Sequence, residues 1–131
     1  MAGKTITIKI DERLKNESRN VFMRYGLSMN AAVVLFLRET AIESALPFWP
    51  HITKEALEEH GLDSEASVAL KNTSLRINPR LVESARDTLT LNGTALNAAI
   101  TAFLRQTVID QRIPFEPCMD PNKLEYFVYC E

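Results

Sequence analysis

The chain contains one unit twice. Shifting the sequence by 67 residues aligns residues 4–50 with residues 71–117 without a gap, and 17 of the 47 aligned positions are identical. Many of the remaining positions exchange one apolar residue for another. Self-similarity at one constant offset indicates a duplicated structural unit. We therefore predict two copies of one module, joined by a linker over residues 51–70 and followed by a tail over residues 118–131.

This division changes the meaning of the net charge. The 131 residues carry a formal charge of −2, which in a single domain argues against nucleic acid as a partner. Seven Lys and Arg stand against five Asp and Glu in the first repeat, and six stand against four in the second, so each repeat carries +2. The linker carries −4 and the tail −2. Two mildly basic modules thus alternate with acidic segments, and nucleic-acid binding by the modules stays open.

The composition argues against several functional classes. The two cysteines, Cys118 and Cys130, are twelve residues apart, and the two histidines, His51 and His60, are isolated. Neither a metal-ligand spacing, nor a nucleophile–base arrangement, nor a glycine-rich phosphate loop is present in the sequence. No apolar run approaches the roughly 18–20 residues that span a bilayer. We expect a reduced cytoplasmic protein with no membrane contact, no cofactor and no metal, which is not an enzyme.

The start of each repeat predicts a β-strand. Residues 5–10 alternate polar and β-branched side chains with a period of two, and residues 72–77 keep a weaker version of the pattern. Such alternation is typical of a half-buried strand. The predicted inward side chains are Ile6, Ile8, Ile10, Thr73, Leu75 and Ile77. The predicted outward side chains are Thr5, Thr7, Lys9, Asn72, Ser74 and Arg76.

Two helices are predicted after each strand. In the first repeat, Asp11 suits the N-cap of a helix that runs to about Arg24, and Gly26 suits a left-handed C-cap. Ser28 suits the N-cap of a second helix that runs to about Ser44. The side chains predicted to face the core are Leu14, Val21, Phe22, Ala32, Leu35, Phe36 and Thr40.

The second repeat carries the same signals with different residues. Asn78 is the predicted cap, Pro79 takes the first helical position, and this helix ends near Asn92-Gly93. The next helix is predicted from about residue 95 to residue 111, with Thr94 as a candidate cap.

One module of about 45 residues is too small to bury a sufficient core, and its single strand has two unpaired edges. Two modules solve both problems when their strands pair antiparallel. The 20-residue linker could span up to about 66–72 Å. The sequence therefore predicts a mainly α fold with a short two-stranded antiparallel ribbon, in which two βαα units are fused as a single-chain pseudo-dimer. Exchange of modules between two chains is the alternative arrangement.

Several runs of residues resemble the ribbon-helix-helix superfamily and, within it, the RelB/DinJ antitoxin family. In the first repeat they are residues 26–32 (GLSMNAA), 35–38 (LFLR) and 46–48 (LPF); in the second they are residues 103–108 (FLRQTV) and 113–116 (IPFE). The resemblance covers both repeats, 94 of the 131 residues, and excludes the linker and the tail. This chain departs from the usual family pattern of one module per chain.

The resemblance implies a DNA-binding repressor of its own operon. A two-stranded ribbon fits the major groove, where its outward side chains reach base edges. One half of the site would be read by Thr5, Thr7 and Lys9, and the other by Asn72, Ser74 and Arg76. Arg76 suits a guanine edge and Asn72 an adenine edge. Since the two sets differ, we predict an asymmetric recognition sequence.

The resemblance also implies phosphate contacts at the N-termini of the second helices, where backbone N–H groups suit anions. The candidate phosphate-binding residues are Lys4, Ser28, Met29, Asn30, Lys71, Ala95, Leu96 and Asn97. Ala95 stands where the first repeat has Ser28. Arg13 and Arg80 recur at one helical position, where we expect solvated or intramolecularly paired side chains rather than phosphate clamps.

The resemblance also implies that the C-terminal portion of the chain neutralises a RelE-like ribonuclease toxin. The linker contains signals for a short helix, with Thr53 as cap and Gly61 as stop. It is acidic and expected to be solvated, or to offer an acidic surface to a basic toxin. The tail is aromatic-rich. We expect one of three arrangements: the tail packs on the core of its own chain, adds as a strand to a partner or becomes buried in a homodimer. The candidate toxin contacts are Tyr126, Phe127 and Tyr129.

Two further functions remain open on the sequence. One is a tandem ribbon-helix-helix transcriptional regulator with no toxin partner. The other is a protein-interaction module that has lost DNA binding, which the weaker strand pattern of the second repeat keeps open. The partners under consideration are operator double-stranded DNA, a RelE-like toxin, and further copies of the pseudo-dimer in a homo-oligomer.

Overall fold

The computed structural model describes residues 4–62 and 70–116. Two strands and five helices follow one another along these residues. They are β1 (Lys4–Asp11), α1 (Glu12–Arg24), α2 (Met29–Glu43), α3 (Lys54–Glu59), β2 (Leu70–Ile77), α4 (Pro79–Leu91) and α5 (Leu96–Asp110). Each repeat therefore has the predicted order of one strand and two helices. The predictions for the tail, including Tyr126, Phe127 and Tyr129, lie outside the described residues.

The two strands pair with each other in one antiparallel sheet. Lys4 lies opposite Ile77, and Asp11 lies opposite Leu70. Thr7 lies opposite Ser74, which is its own equivalent at the offset of 67 residues. The pairing is therefore symmetric about this central pair.

The alternation along each strand is confirmed. Ile8 and Ile10 are buried on β1, Leu75 and Ile77 are buried on β2, and Ile6 packs against the core as a half-buried residue. All six predicted outward side chains are exposed. The weaker pattern of β2 has one structural result: Thr73 is buried and its Oγ1 has no hydrogen-bond partner among the described residues.

The helices of the two repeats interleave beneath the sheet. Helix α1 packs on α5, and α2 packs on α4, so each first helix contacts the second helix of the other repeat. At the centre, the rings of Phe36 and Phe103 stack with centroids 4.7 Å apart and planes 5° apart. These two residues are equivalents at the offset of 67, and both are fully buried. The core is thus shared between the repeats, which explains why one module alone would lack a sufficient core.

Within the two repeats, the helix starts follow the predicted caps at three of four sites. Asn78 Oδ1 accepts a hydrogen bond from the Arg80 N–H at 2.8 Å, and Pro79 occupies the first turn of α4. Ser28 Oγ accepts from the Ala31 N–H at 3.0 Å. Asp11 occupies the N-cap position of α1, although its side chain makes no capping hydrogen bond.

The prediction that Thr94 caps α5 is wrong. The N-cap residue is Ala95, which provides no side-chain hydrogen bond. Thr94 instead donates its N–H to Leu89 O at 2.8 Å and so belongs to the turn that ends α4. Leu27 makes the equivalent bond to Phe22 O in the first repeat. Both turns pass through a left-handed glycine, Gly93 with φ +75° in the turn after α4 and its equivalent in the turn after α1, where a side chain would be disfavoured.

The linker contains the predicted short helix. Thr53 Oγ1 accepts from the Ala56 N–H at 3.1 Å, and α3 follows. Its acidic residues Glu55, Glu58 and Glu59 are exposed, but Leu57 is buried in the core. The expectation of a solvated linker therefore holds for one side of this helix only, because its other side packs on α5.

Within residues 4–62 and 70–116, no single helix is long and apolar enough to cross a membrane. The pair formed by α1 and α2 meets the length and composition requirement only when taken together, and it is bent by 85°.

Candidate nucleic-acid interface

The six outward side chains of the ribbon lie on one exposed face. They form three cross-strand pairs, which are Thr5–Arg76, Thr7–Ser74 and Lys9–Asn72. Successive pairs are two residues apart along the strands, or roughly 6.6–6.8 Å, so the outer pairs are about 13 Å apart. The structure thus assembles all six predicted base-reading residues into one compact polar surface, which we call the ribbon face.

The two cations of the ribbon face lie at its opposite ends. Lys9 belongs to β1 and pairs with Asn72, whereas Arg76 belongs to β2 and pairs with Thr5. Neither cation forms an ion pair with another residue that the structure describes. Both charges are therefore available to a ligand that approaches this face.

Two asparagines hold the outer edges of the ribbon. Asn30 in α2 accepts from the Arg76 N–H at 2.7 Å through Oδ1 and donates from Nδ2 to the Arg76 carbonyl at 3.0 Å. Asn97 in α5 accepts from the Lys9 N–H at 3.2 Å, and its Nδ2 lies 3.5 Å from the Lys9 carbonyl. Each asparagine therefore satisfies the backbone groups of an edge residue that would otherwise be open to another strand.

These bonds were missed by sequence reasoning, which assigned Asn30 and Asn97 to phosphate contact. The signal was present, because an identical Asn-Ala-Ala run stands at residues 30–32 and 97–99. An Asn side chain has both a donor and an acceptor, and here both are directed at one backbone residue. The pairs place the first turns of α2 and α5 on either side of the ribbon face.

Four of the other candidate phosphate-binding residues occupy these two helix starts. Met29 has a buried side chain, so only its backbone N–H is available to an anion. Ser28 is exposed, and Ala95 and Leu96 occupy the equivalent positions in the second repeat. Because the Ala31 N–H is already bonded to Ser28 Oγ and α5 has no such cap, the two helix starts offer different sets of free N–H groups.

Lys4 and Lys71 occupy equivalent positions in the two strands. Lys4 lies opposite Ile77, and Lys71 lies opposite Ile10. Their side chains lie outside what the structure describes.

A polar cluster joins the end of the first repeat to α5. Gln106 is fully buried; its Oε1 accepts from the His51 N–H at 2.8 Å and its Nε2 donates to Asp110 Oδ1 at 3.1 Å. The His51 ring places Nε2 3.1 Å from the same Asp110 oxygen. Sequence reasoning missed this cluster because His51 is 55 and 59 residues away from its two partners. It fixes the start of the linker against α5.

Among the described residues, no group of three or more His, Cys, Asp and Glu side chains is placed to hold a metal ion. The arrangements that remain are the exposed polar ribbon face and the two helix starts that flank it. This combination can offer hydrogen bonds and positive charge to an anionic, grooved ligand.

Comparison with known protein families identifies part of the chain. The sequence model of the RelB antitoxin family matches residues 3–67, which include the first repeat and most of the linker. The resemblance drawn from the sequence is therefore confirmed over this part of the chain. No curated protein and no solved structure matches the chain.

Proposed function

On the premise that residues 3–67 form a RelB antitoxin-type module, we propose that the chain is a tandem ribbon-helix-helix protein that binds operator DNA. In this proposal the two modules form a single-chain pseudo-dimer whose ribbon face enters the major groove. The bound protein represses transcription. The observation that carries the proposal is the exposed ribbon face with one cation at each end, neither of which forms an ion pair among the described residues.

The dimensions of the ribbon face suit base reading. A two-stranded ribbon fits the major groove, and the roughly 13 Å between the outer pairs corresponds to about four base steps of 3.4 Å. Arg76 would make a bidentate contact with guanine, and Asn72 would contact adenine. Thr7 and Ser74 would lie over the centre of the site.

The strand register changes how the operator would be divided. Lys9 and Asn72 lie at one end of the ribbon face, and Thr5 and Arg76 lie at the other. Each half-site would therefore be read by one residue from each strand, rather than by one strand alone. Because Lys with Asn differs from Arg with Thr, the proposal retains an asymmetric recognition sequence.

The flanking helix starts would position the duplex. Backbone N–H groups at Met29 and Asn30, and at Leu96 and Asn97, would bind phosphates through the positive ends of two 15-residue helices. Ser28 and Ala95, with Lys4 and Lys71 at the strands, complete the proposed phosphate contacts. Such contacts give affinity and register but carry no sequence information.

The experiment is a binding titration of the full chain against the DNA upstream of its own reading frame, repeated at several salt concentrations. Arg76→Ala should weaken specific binding by about 1–3 kcal/mol and relax specificity at one end of the site. Arg112→Ala is the matched control, since Arg112 is exposed beyond the C-terminal end of α5. A 15-residue helix places it about 22 Å from the helix start that holds the ribbon.

The proposal fails if affinity does not fall with salt, because binding that neutralises phosphates must release counterions. It also fails if Arg76→Ala and Lys9→Ala bind as tightly as the unaltered chain. Equal losses in Arg76→Ala and Arg112→Ala would indicate a general charge effect rather than base reading.

The family match also supports an antitoxin-like role, and we propose a basic RelE-like toxin as the protein partner. The acidic tail would supply the contact, through Tyr126, Phe127 and Tyr129. Calorimetric titration with the product of a neighbouring basic reading frame tests this proposal. Tight binding that is lost when all three aromatic residues are replaced by Ala supports it. Binding to DNA without any binding to such a product would leave a tandem transcriptional regulator.

A further inference from the structure

The outer faces of α2 and α5 carry equivalent grooves. The groove on α5 has a volume of about 430 Å³, and that on α2 about 360 Å³. Five residues of the α5 groove have their equivalents at the offset of 67 in the α2 groove. They are Asn97, Ala98, Thr101, Ala102 and Arg105 on α5, and Asn30, Ala31, Val34, Leu35 and Arg38 on α2.

The α5 groove is bordered by the linker. Ile52 and Leu62 form part of its wall, and Leu57 between them is 3% exposed. Arg13 Nη1 donates to the Gly61 carbonyl at 2.6 Å, which fixes the end of α3 against α1. The segment that leaves the first repeat therefore packs on the second helix of the other repeat. No described segment takes the same position over the α2 groove.

The sequence repeat continues beyond the second module. At the offset of 67 residues, Asp120 takes the position of the Thr53 cap, and Pro121 takes the first position of α3. Asp is a preferred N-cap and Pro a preferred first helical residue. The apolar residues of the linker also have apolar equivalents in the tail, with Met119 for Ile52 and Leu124 for Leu57.

We propose that tail residues 119–127 dock in the α2 groove, as α3 and its flanking residues dock against α5. Met119 and Leu124 would cover Val34 and Leu35, both of which are half-buried. The described chain ends at Glu116, one residue beyond the equivalent of Phe48 and shortly before the tail begins. Trp49 is the equivalent of Glu116 in the first repeat, and the linker that packs on α5 begins two residues after it.

Charge favours the same occupant. Residues 119–127 contain two acidic residues, Asp120 and Glu125, and one Lys, and Arg38 lines the groove. The equivalence ends before residue 128, because Val128 replaces Gly61, whose φ of +74° disfavours a branched side chain. The docked segment is therefore shorter than the tail.

Thiol labelling of the full-length chain tests the docking. In a Cys118→Ser/Cys130→Ser background, a single thiol is placed by Val34→Cys in the α2 groove, or by Thr101→Cys at the equivalent control position. Adding Leu124→Asp should raise the labelling rate of Val34→Cys about tenfold, because the covering segment then opens readily. The rate for Thr101→Cys should not change, because the linker and not the tail lies beside it.

An unchanged Val34→Cys rate after Leu124→Asp would overturn the proposal. Protection of Val34→Cys that increases with protein concentration would also overturn it, because a second copy would then be the occupant. A second measurement uses the unaltered chain, so its result does not depend on whether the variants fold. Nuclear Overhauser effects are expected between the methyl groups of Leu124 and Val34. Their absence would equally contradict docking.

Discussion

The asparagine contacts at the ribbon edges predict an unequal cost for two equivalent substitutions. Asn30 makes two hydrogen bonds with the Arg76 backbone, at 2.7 and 3.0 Å. The Asn97 contacts with Lys9 measure 3.2 and 3.5 Å, and the longer one lies at the limit of a useful hydrogen bond. Since a typical hydrogen bond contributes about 0.5–1.5 kcal/mol net, Asn30→Ala should cost about 1–3 kcal/mol and Asn97→Ala about half as much.

Urea denaturation followed by circular dichroism measures this difference. With a urea dependence of about 1–3 kcal/mol per molar, a loss of about 2 kcal/mol shifts the unfolding midpoint by roughly 1 M. Asn20→Ala is the matched control, because Asn20 is an exposed residue of α1, where substitutions usually change stability by less than about 0.5 kcal/mol.

A local measurement separates the contact from general destabilisation. Amide hydrogen exchange at Arg76 should accelerate in Asn30→Ala, and exchange at Lys9 should accelerate in Asn97→Ala. The reasoning is refuted if Asn97→Ala costs as much as Asn30→Ala, or if both behave like Asn20→Ala.

Four other substitutions test the core and the caps by the same urea measurement. Thr73→Val should stabilise the chain by about 1 kcal/mol, since it removes a buried hydroxyl without a described partner; a loss of stability would show that the hydroxyl is bonded. Ala95→Ser should add the cap that Ser28 supplies to α2 and raise stability by about 0.5–1 kcal/mol, and no gain would contradict this. Phe36→Ala and Phe103→Ala should each cost about 3–5 kcal/mol. Because the two rings stack on each other, the double variant should differ from the sum of the single ones; simple additivity would be inconsistent with the contact.

The parts of the fold that the sequence predicted are those set by local chemistry. Alternation between Thr5 and Ile10 determined which strand face is buried, and the Asn78–Pro79 pair marked the start of α4. These signals depend on neighbouring residues only, so they can be interpreted without knowledge of the tertiary structure. The antiparallel pairing followed from a further argument, because a lone strand and a small module each need a partner.

The parts that the sequence did not predict depend on residues far apart in the chain. The bonds of Asn30 to Arg76 join residues 46 positions apart, and no local pattern distinguishes them from a solvated helix start. The Thr94 assignment failed because a Thr before a helix suits both a cap and the preceding turn. In the structure Thr94 belongs to the turn after α4, where its N–H bonds to Leu89 O, as the Leu27 N–H bonds to Phe22 O in the first repeat. The base-reading role of the ribbon face stays a prediction.

The pairing of Thr7 with its own equivalent has a consequence for how the protein responds to dilution and to mutation. When two separate chains form such a ribbon, its stability depends on their concentration. In the structure both strands belong to one chain, and a ribbon paired in this way would form independently of the protein concentration. A single mutation in a codon for one strand therefore changes one strand of the ribbon, whereas in a homodimer it would change both strands. The two ends of the ribbon face are therefore free to diverge, a freedom that a symmetric assembly of identical chains does not have.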